Sequence, residues 1–149
     1  MELIYDDTYF MKKALVEAEL AFEQGEVPVG AVIVIDQKII ARAHNLTELL
    51  NDVTAHAEMQ AITSASNYLG GKYLHNRTLY VTLEPCQMCA GALYWSQISR
   101  IVYGAEDKER GFQTMGTKLH PKTKLKGGIM ADEASALLKR FFVEKRNLN

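Results

Sequence analysis

Apolar positions along this chain follow two periods, and the switches between them mark out its elements. From Thr8 to Gln24, Phe10, Ala14, Val16, Ala18, Ala21 and Phe22 recur near every 3.6 residues. That spacing predicts an amphipathic helix, with Thr8 placed to cap it. Gly25-Glu26-Val27-Pro28 breaks the pattern. Ala31-Val32-Ile33-Val34-Ile35 is then a continuous, mostly β-branched run, as in a strand covered on both faces. Asp36-Gln37-Lys38 reads as a tight turn and Ile39–Ala43 as the returning strand of a hairpin. After a polar connector, Thr47–Asp52, a second helix is expected over Thr54–Tyr68, stopped by Gly70-Gly71. Thr78–Leu83 reads as a strand leading straight into Glu84-Pro85-Cys86, where the proline suits a helix start, and a third helix runs to about Ser96. Arg100–Tyr103 is a further strand ended by Gly104. Asp107–Lys126 is polar, contains glycines and is the least regular stretch, and is expected to cross the mouth of a site; Leu125–Met130 could form a short edge strand. Asp132–Arg146 closes the series as a helix capped by Asp132, with Leu137, Leu138, Phe141 and Phe142 on one side. Strands interleaved with helices in this order predict an α/β fold, a three-layer α/β/α arrangement around a mixed five-stranded sheet. With no repeat or linker in view, residues 1–149 are expected to form one domain.

Composition narrows the class. Hydrophobic residues make up 48% and charged residues 23%, a balance suited to a globular fold, and no apolar run nears the roughly 20 residues needed to span a bilayer. The opening residues, Met1-Glu2-Leu3-Ile4-Tyr5-Asp6-Asp7, are acidic and lack the basic-then-apolar order of an export signal, so a cytoplasmic address is expected. Thiols stay reduced there, and the two cysteines, spaced C-x-x-C, read as metal ligands or a redox pair rather than a structural disulfide. Charge is unevenly spread. Met1–Thr117 carries 9 Lys/Arg against 15 Asp/Glu, while Lys118–Asn149 carries 8 against 3. An acidic body with a basic tail suits a polyanionic partner, although a solvated C-terminal helix with ordinary surface lysines would read the same way.

The chemistry concentrates in His56-Ala57-Glu58 and Pro85-Cys86-Gln87-Met88-Cys89. One imidazole and two thiolates fill three corners of a tetrahedral zinc site and leave the fourth for water, as catalytic rather than structural zinc requires. Both motifs fall at expected helix N-termini, where the helix dipole favours thiolate over thiol. Cys86 and Cys89 lie one turn apart, and Glu58 is spare as a ligand. Zinc-bound hydroxide forms near neutral pH, and Glu58 would carry protons from it to a ring nitrogen and a departing amine. The set suits hydrolytic deamination of an amino-substituted aromatic ring. His44, His75 and His120 lack ligand spacing and read as structural or surface residues, with His44 close to the site.

The pairing of H-x-E with P-C-x-x-C is the signature of zinc nucleobase deaminases. Val27–Val32, His44-Asn45, Thr54–Glu58, Thr78–Ala92, Arg100–Ala105 and Phe141-Phe142 together resemble the bacterial tRNA adenosine deaminases, in the cytidine-deaminase-like superfamily. The resemblance implies conversion of adenosine to inosine at the wobble position of a tRNA anticodon, by a homodimer with one Zn2+ per subunit. It implies zinc ligation by His56, Cys86 and Cys89, proton transfer by Glu58, and contacts to the extruded nucleotide from Asn45 and from the backbone around Ala57 and Glu84. Lys139, Arg140, Lys145 and Arg146 on the basic last helix would grip the anticodon stem-loop, with at least one of Phe141 and Phe142 packing inward. Val27–Ile35, the Cys86 helix and Trp95 offer apolar surface for the dimer, and Trp95 reads as core or dimer packing.

Two departures from the family pattern bear on substrate. Val53 stands where many relatives have proline, and Gly111–Thr117 replaces their usual segment in a shortened loop. A zinc-dependent deaminase of a free base or nucleoside, such as guanine or cytosine, therefore remains a second reading, since it shares the zinc chemistry and needs no basic tail. A non-catalytic RNA-binding subunit with structural zinc is a third, opposed by the presence of Glu58.

Overall fold

The computed structural model describes residues 4–148. Its elements are α1 (Asp7–Glu23), β1 (Gly30–Ile35), β2 (Lys38–His44), α2 (Ala57–Leu69), β3 (Thr78–Leu83), α3 (Gln87–Ser96), β4 (Arg100–Ala105), β5 (Lys124–Lys126) and α4 (Ala131–Asn147). They build a five-stranded sheet in the order β2-β1-β3-β4-β5. β1 pairs antiparallel with both β2 and β3, while β3, β4 and β5 run parallel, so the sheet is mixed as expected.

Alternation along the central strands separates two cores. Ala31, Ile33, Leu79, Val81 and Ile101 face α2 and α3 through Ala57, Ala61, Ala65 and Leu93. Val32, Val34, Tyr80 and Val102 face α1 through Phe10, Met11 and Ala14. α4 packs beside α1 against β4. Burial of both faces explains why β1 reads as an unbroken apolar run. The close seat of α1 on β1 depends on Gly30, where a Cβ would lie 2.0 Å from the Ala14 carbonyl oxygen. The β1–β2 turn uses two non-glycine residues at positive φ, Asp36 (47°) and Gln37 (69°), the mirror-image backbone that matches strand twist.

Several local expectations shift. α1 is capped by Asp6, whose carboxylate accepts from the Tyr9 amide at 2.8 Å, rather than by Thr8, which is already helical. α2 begins at Ala57, because Thr54 is held in a turn by Asp52. The edge strand is Lys124–Lys126 rather than Leu125–Met130, since Gly127-Gly128 follow and Gly128 takes φ 86°. α4 starts from Met130 in the left-handed region, and Asp132 lies in its first turn instead of capping it. Phe141 packs inward against Phe22, at 5.9 Å between ring centroids, whereas Phe142 is exposed. Trp95 is 76% exposed and so is not a core residue. Most of the apolar surface of β1 is buried inside the sheet, with Ile35 half-buried at its end.

Candidate active site

His56 and Cys86 occupy equivalent positions. Each is the N-cap of its helix with extended backbone (φ −72°, ψ 156° and φ −72°, ψ 173°), and neither side chain caps its own helix. Both side chains are therefore free to face each other across the N-termini of α2 and α3. Cys89, fully buried in the first turn of α3, completes the group. His56 Nδ1 lies 3.6 Å from Cys86 Sγ and 3.5 Å from Cys89 Sγ, and the three donor atoms fall within 4.8 Å of one another. A tetrahedral ion with Zn–S near 2.3 Å and Zn–N near 2.0–2.1 Å places nitrogen and sulfur ligands about 3.6 Å apart. Distances and donor types alike fit zinc, for which a thiolate and imidazole set is characteristic.

The two thiols and the imidazole set one another's charge. A hydrogen bond from Cys89 holds the Cys86 thiol down to about 4, with His56 adding to the effect. The same contact and burial push Cys89 far up, so the pair shares one proton. His56 is raised, chiefly by its hydrogen bond with Cys86. A bound dication would remove the proton that remains on sulfur, since a coordinating thiol ionises outright.

Glu58, on the first turn of α2, is 4% exposed. Burial pushes its carboxyl up to about 7, with the negative Cys86 adding to the rise. A carboxyl poised near neutrality beside a metal-binding group is suited to taking and returning protons.

The remaining sequence candidates are placed as follows. Asn45 is buried at the end of β2, its amide donating to the Val27 carbonyl at 3.4 Å and its oxygen accepting from the Thr47 amide at 3.3 Å. The next residue, Leu46, donates to the Ala55 carbonyl at 2.9 Å, which ties this corner to His56. The Ala57 methyl is part of the core between α2 and the sheet. Glu84 is buried with its carboxylate turned into Asp107–Gln113. Lys139, Arg140, Lys145 and Arg146 are exposed on α4 and do not join the metal group. Arg140 pairs with Glu144 and lies over Phe22, and Lys145 lies over Phe141. His44 is engaged by Glu17 and Gln24, His75 by Gln97, and His120 stands against Tyr94.

Two carboxylates escape sequence reasoning. Sequence reasoning reaches Glu84 only through its backbone, and Glu26 only as part of a helix break. Both are buried, at 2% and 1% exposure, and each accepts hydrogen bonds from a loop beside the site. The available signal was position, since each charge is embedded next to a buried strand, Glu26 just before β1 and Glu84 just after β3.

The family model for the cytidine and deoxycytidylate deaminase zinc-binding region matches residues 4–105. A tRNA-specific adenosine deaminase of Agrobacterium fabrum is 46% identical over 145 residues, covering 93% of this chain and 95% of the relative. A solved structure from a study of A-to-I editing by tRNA:A34 deaminases at the wobble position superposes with a TM-score of 0.83 at 44% identity, covering 88% of this chain and 99% of the other. A guanine deaminase from Bacillus subtilis matches less completely, with a TM-score of 0.67 at 38% identity over 76% of this chain and 72% of the other. With the His56, Cys86 and Cys89 donors grouped beside Glu58, this chain belongs to the zinc-dependent cytidine and deoxycytidylate deaminase family and, within it, to the tRNA-specific adenosine deaminases.

Proposed function

We propose that the protein hydrolyses adenosine to inosine at the wobble position of tRNA anticodons. The observation that carries the substrate is the near-complete match, at 44–46% identity, to deaminases described as acting on tRNA, against a partial overlap with a guanine deaminase. The whole chain acts as one deaminase domain, holding one zinc ion through His56 Nδ1, Cys86 Sγ and Cys89 Sγ. When bound there, zinc supplies a Lewis acid that makes water nucleophilic near neutral pH.

The chain's own residues do the rest. Glu58 takes a proton from the attacking water and delivers it to the ring nitrogen next to the reacting carbon, C6 of adenine. It then returns the second proton to the exocyclic amine, which leaves as ammonia while oxygen remains on the ring. Burial supports this role, because a carboxyl held near neutrality accepts and releases protons with little bias. Asn45 and the backbone at Ala57 and Glu84 hold the extruded nucleotide. A loop base is already unpaired, so extrusion costs little. Lys139, Arg140, Lys145 and Arg146 meet the stem phosphates.

The protein works as a cytoplasmic homodimer. Exposed Trp95 on α3, with Leu49, Leu50 and Val53 exposed on the connector before α2, supports a partner surface. No helix among the described residues is long and apolar enough to cross a membrane.

The test is incubation with an anticodon stem-loop carrying a wobble adenosine, beside free guanine, cytosine and adenosine, followed by mass analysis for replacement of NH by O. Conversion of the RNA is expected. Conversion of guanine alone would replace this reading with that of a free-base deaminase, the alternative that the 38% match favours.

A further inference from the structure

Two loops border the metal group, one on the His56 side and one on the Cys86 side, and each is fastened by a single buried carboxylate. On the Cys86 side, Glu84 Oε1 accepts from the Asp107 amide at 3.1 Å, and Oε2 accepts from both the amide and the side-chain nitrogen of Gln113 at 3.1 Å. Backbone bonds reinforce this, with Phe112 donating to the Pro85 carbonyl at 2.8 Å and Cys86 bridging to Gly111. Contact is close enough to require glycine at position 111, where a Cβ would lie 2.5 Å from the Glu84 carboxylate. On the His56 side, Glu26 Oε1 accepts from the Glu48 amide at 2.9 Å and Oε2 from the Leu49 amide at 2.8 Å, with the Thr47 hydroxyl at 3.5 Å. This holds the connector between Asn45 and His56.

Every partner of Glu84 is an N–H, and so are the two nearest partners of Glu26. A carboxylate is acceptor-only and satisfies such a set fully, whereas an amide would point its own NH2 at donors. Neither side chain bonds the metal ligands, and both are used up by loop backbone. We propose that Glu26 and Glu84 are positioning residues that fix the two walls of the substrate mouth, and so set how well a nucleotide is held rather than how fast it reacts. The inference deepens the tRNA reading above and rests on it for the substrate, while its structural half is independent of substrate.

The order of two variants distinguishes acceptor chemistry from mere filling of space. Glu84→Gln keeps the volume and loses the acceptor; Glu84→Asp loses a methylene and keeps it. Positioning predicts that Glu84→Gln raises KM for the wobble-adenosine stem-loop by about tenfold, that Glu84→Asp raises it less, and that both keep full zinc content and single-turnover rates at saturating RNA within about threefold of wild type. Glu26→Gln and Glu26→Asp should follow the same order. Amide exchange adds a readout that needs no substrate. In Glu84→Gln the Asp107 and Gln113 amides should exchange at least about tenfold faster while Val81 and Ile101 stay protected. Should Glu84→Gln fail to fold, Gln113→Leu removes the side-chain donor to Glu84, together with its bond to the Tyr103 hydroxyl, and should speed exchange at Asp107 and Gln113 with a smaller rise in KM. Wild-type KM and exchange in the Gln variants, or Asp variants worse than Gln variants, would overturn the proposal. If wild-type protein ignores the RNA but converts a free base, the tRNA reading falls, and the same variant order is measured on that base.

Discussion

The metal group and the mouth around it are built by opposite means. His56, Glu58, Cys86 and Cys89 come from two short motifs at the N-termini of α2 and α3, and their geometry follows from helix pitch and capping position. The walls of the mouth come from loops 46–55 and 107–113, held by carboxylates 22–29 residues away in sequence. Reaction chemistry is therefore written locally, whereas selection of substrate rests on tertiary contacts. Changes in the first region should act on rate, and changes in the second on binding.

The largest expected effect tests the first half of that contrast. Glu58→Ala should lower kcat by about 10³-fold or more, at the strong end of general acid–base contributions, while zinc content stays at the wild-type level. Substantial remaining turnover would show that another group moves the protons and would break the division of roles. Cys89→Ala comes next. It removes a buried ligand, so both metal retention and turnover should be lost, and Tm should fall by about 5 °C or more. Metal analysis beside a melting curve checks this, and a zinc-loaded, active Cys89→Ala would remove the sulfur from the ligand set.

The same contrast explains what was legible in the sequence. The order of elements, the mixed sheet and the His-Cys-Cys donor group could all be read in advance, because they depend on periods of two and 3.6 and on spacings of two or three residues. Element ends were less legible. The cap of α1 moved to Asp6 and the start of α2 to Ala57 because single side-chain bonds decide such boundaries, and several nearby residues could make them. Glu26 and the Glu84 side chain were missed for a different reason. A lone carboxylate carries no pattern, and its role exists only once a distant loop has folded onto it. For Trp95, hydrophobicity alone leaves core and dimer packing open, and its exposure in the fold excludes only the core.

A more moderate effect sharpens the contrast on the RNA side. Neutralising Lys139, Arg140, Lys145 and Arg146 should weaken binding of the anticodon stem-loop and reduce the slope of log K against log salt by about 2–3. The reduction falls short of four charges because Arg140 already pairs with Glu144 and covers Phe22. Turnover at saturating RNA should hold. An unchanged salt slope would take α4 out of the RNA surface.

The smallest effect concerns a contact far from both regions. Asp7, at the start of α1, receives two bonds from Arg100 at 2.8 and 2.6 Å, one from the Tyr80 hydroxyl at 2.8 Å and one from Lys126 at 3.3 Å. This joins α1 to β3, β4 and β5 at the start of β4, whereas the metal group lies beyond the end of β3. The Arg100 guanidinium holds the Asp7 carboxyl well below its ordinary value of 3.8. A carboxyl lowered in this way stabilises the fold fully above that ordinary value, and its contribution drains away as pH falls below it. Asp7→Asn should thus cost about 1–2 kcal/mol at neutral pH, a figure reduced for partial solvent screening. The gap from wild type should begin to narrow as pH falls below about 4 and be smaller at pH 3 than at pH 7. KM and kcat should not move at neutral pH, since neither the metal group nor the loop clamps touch this network. Denaturant melts at pH 7 and pH 3, run beside steady-state kinetics, check both parts. A change in KM with Asp7→Asn would mean that the mouth is held by the whole sheet rather than by its two carboxylates.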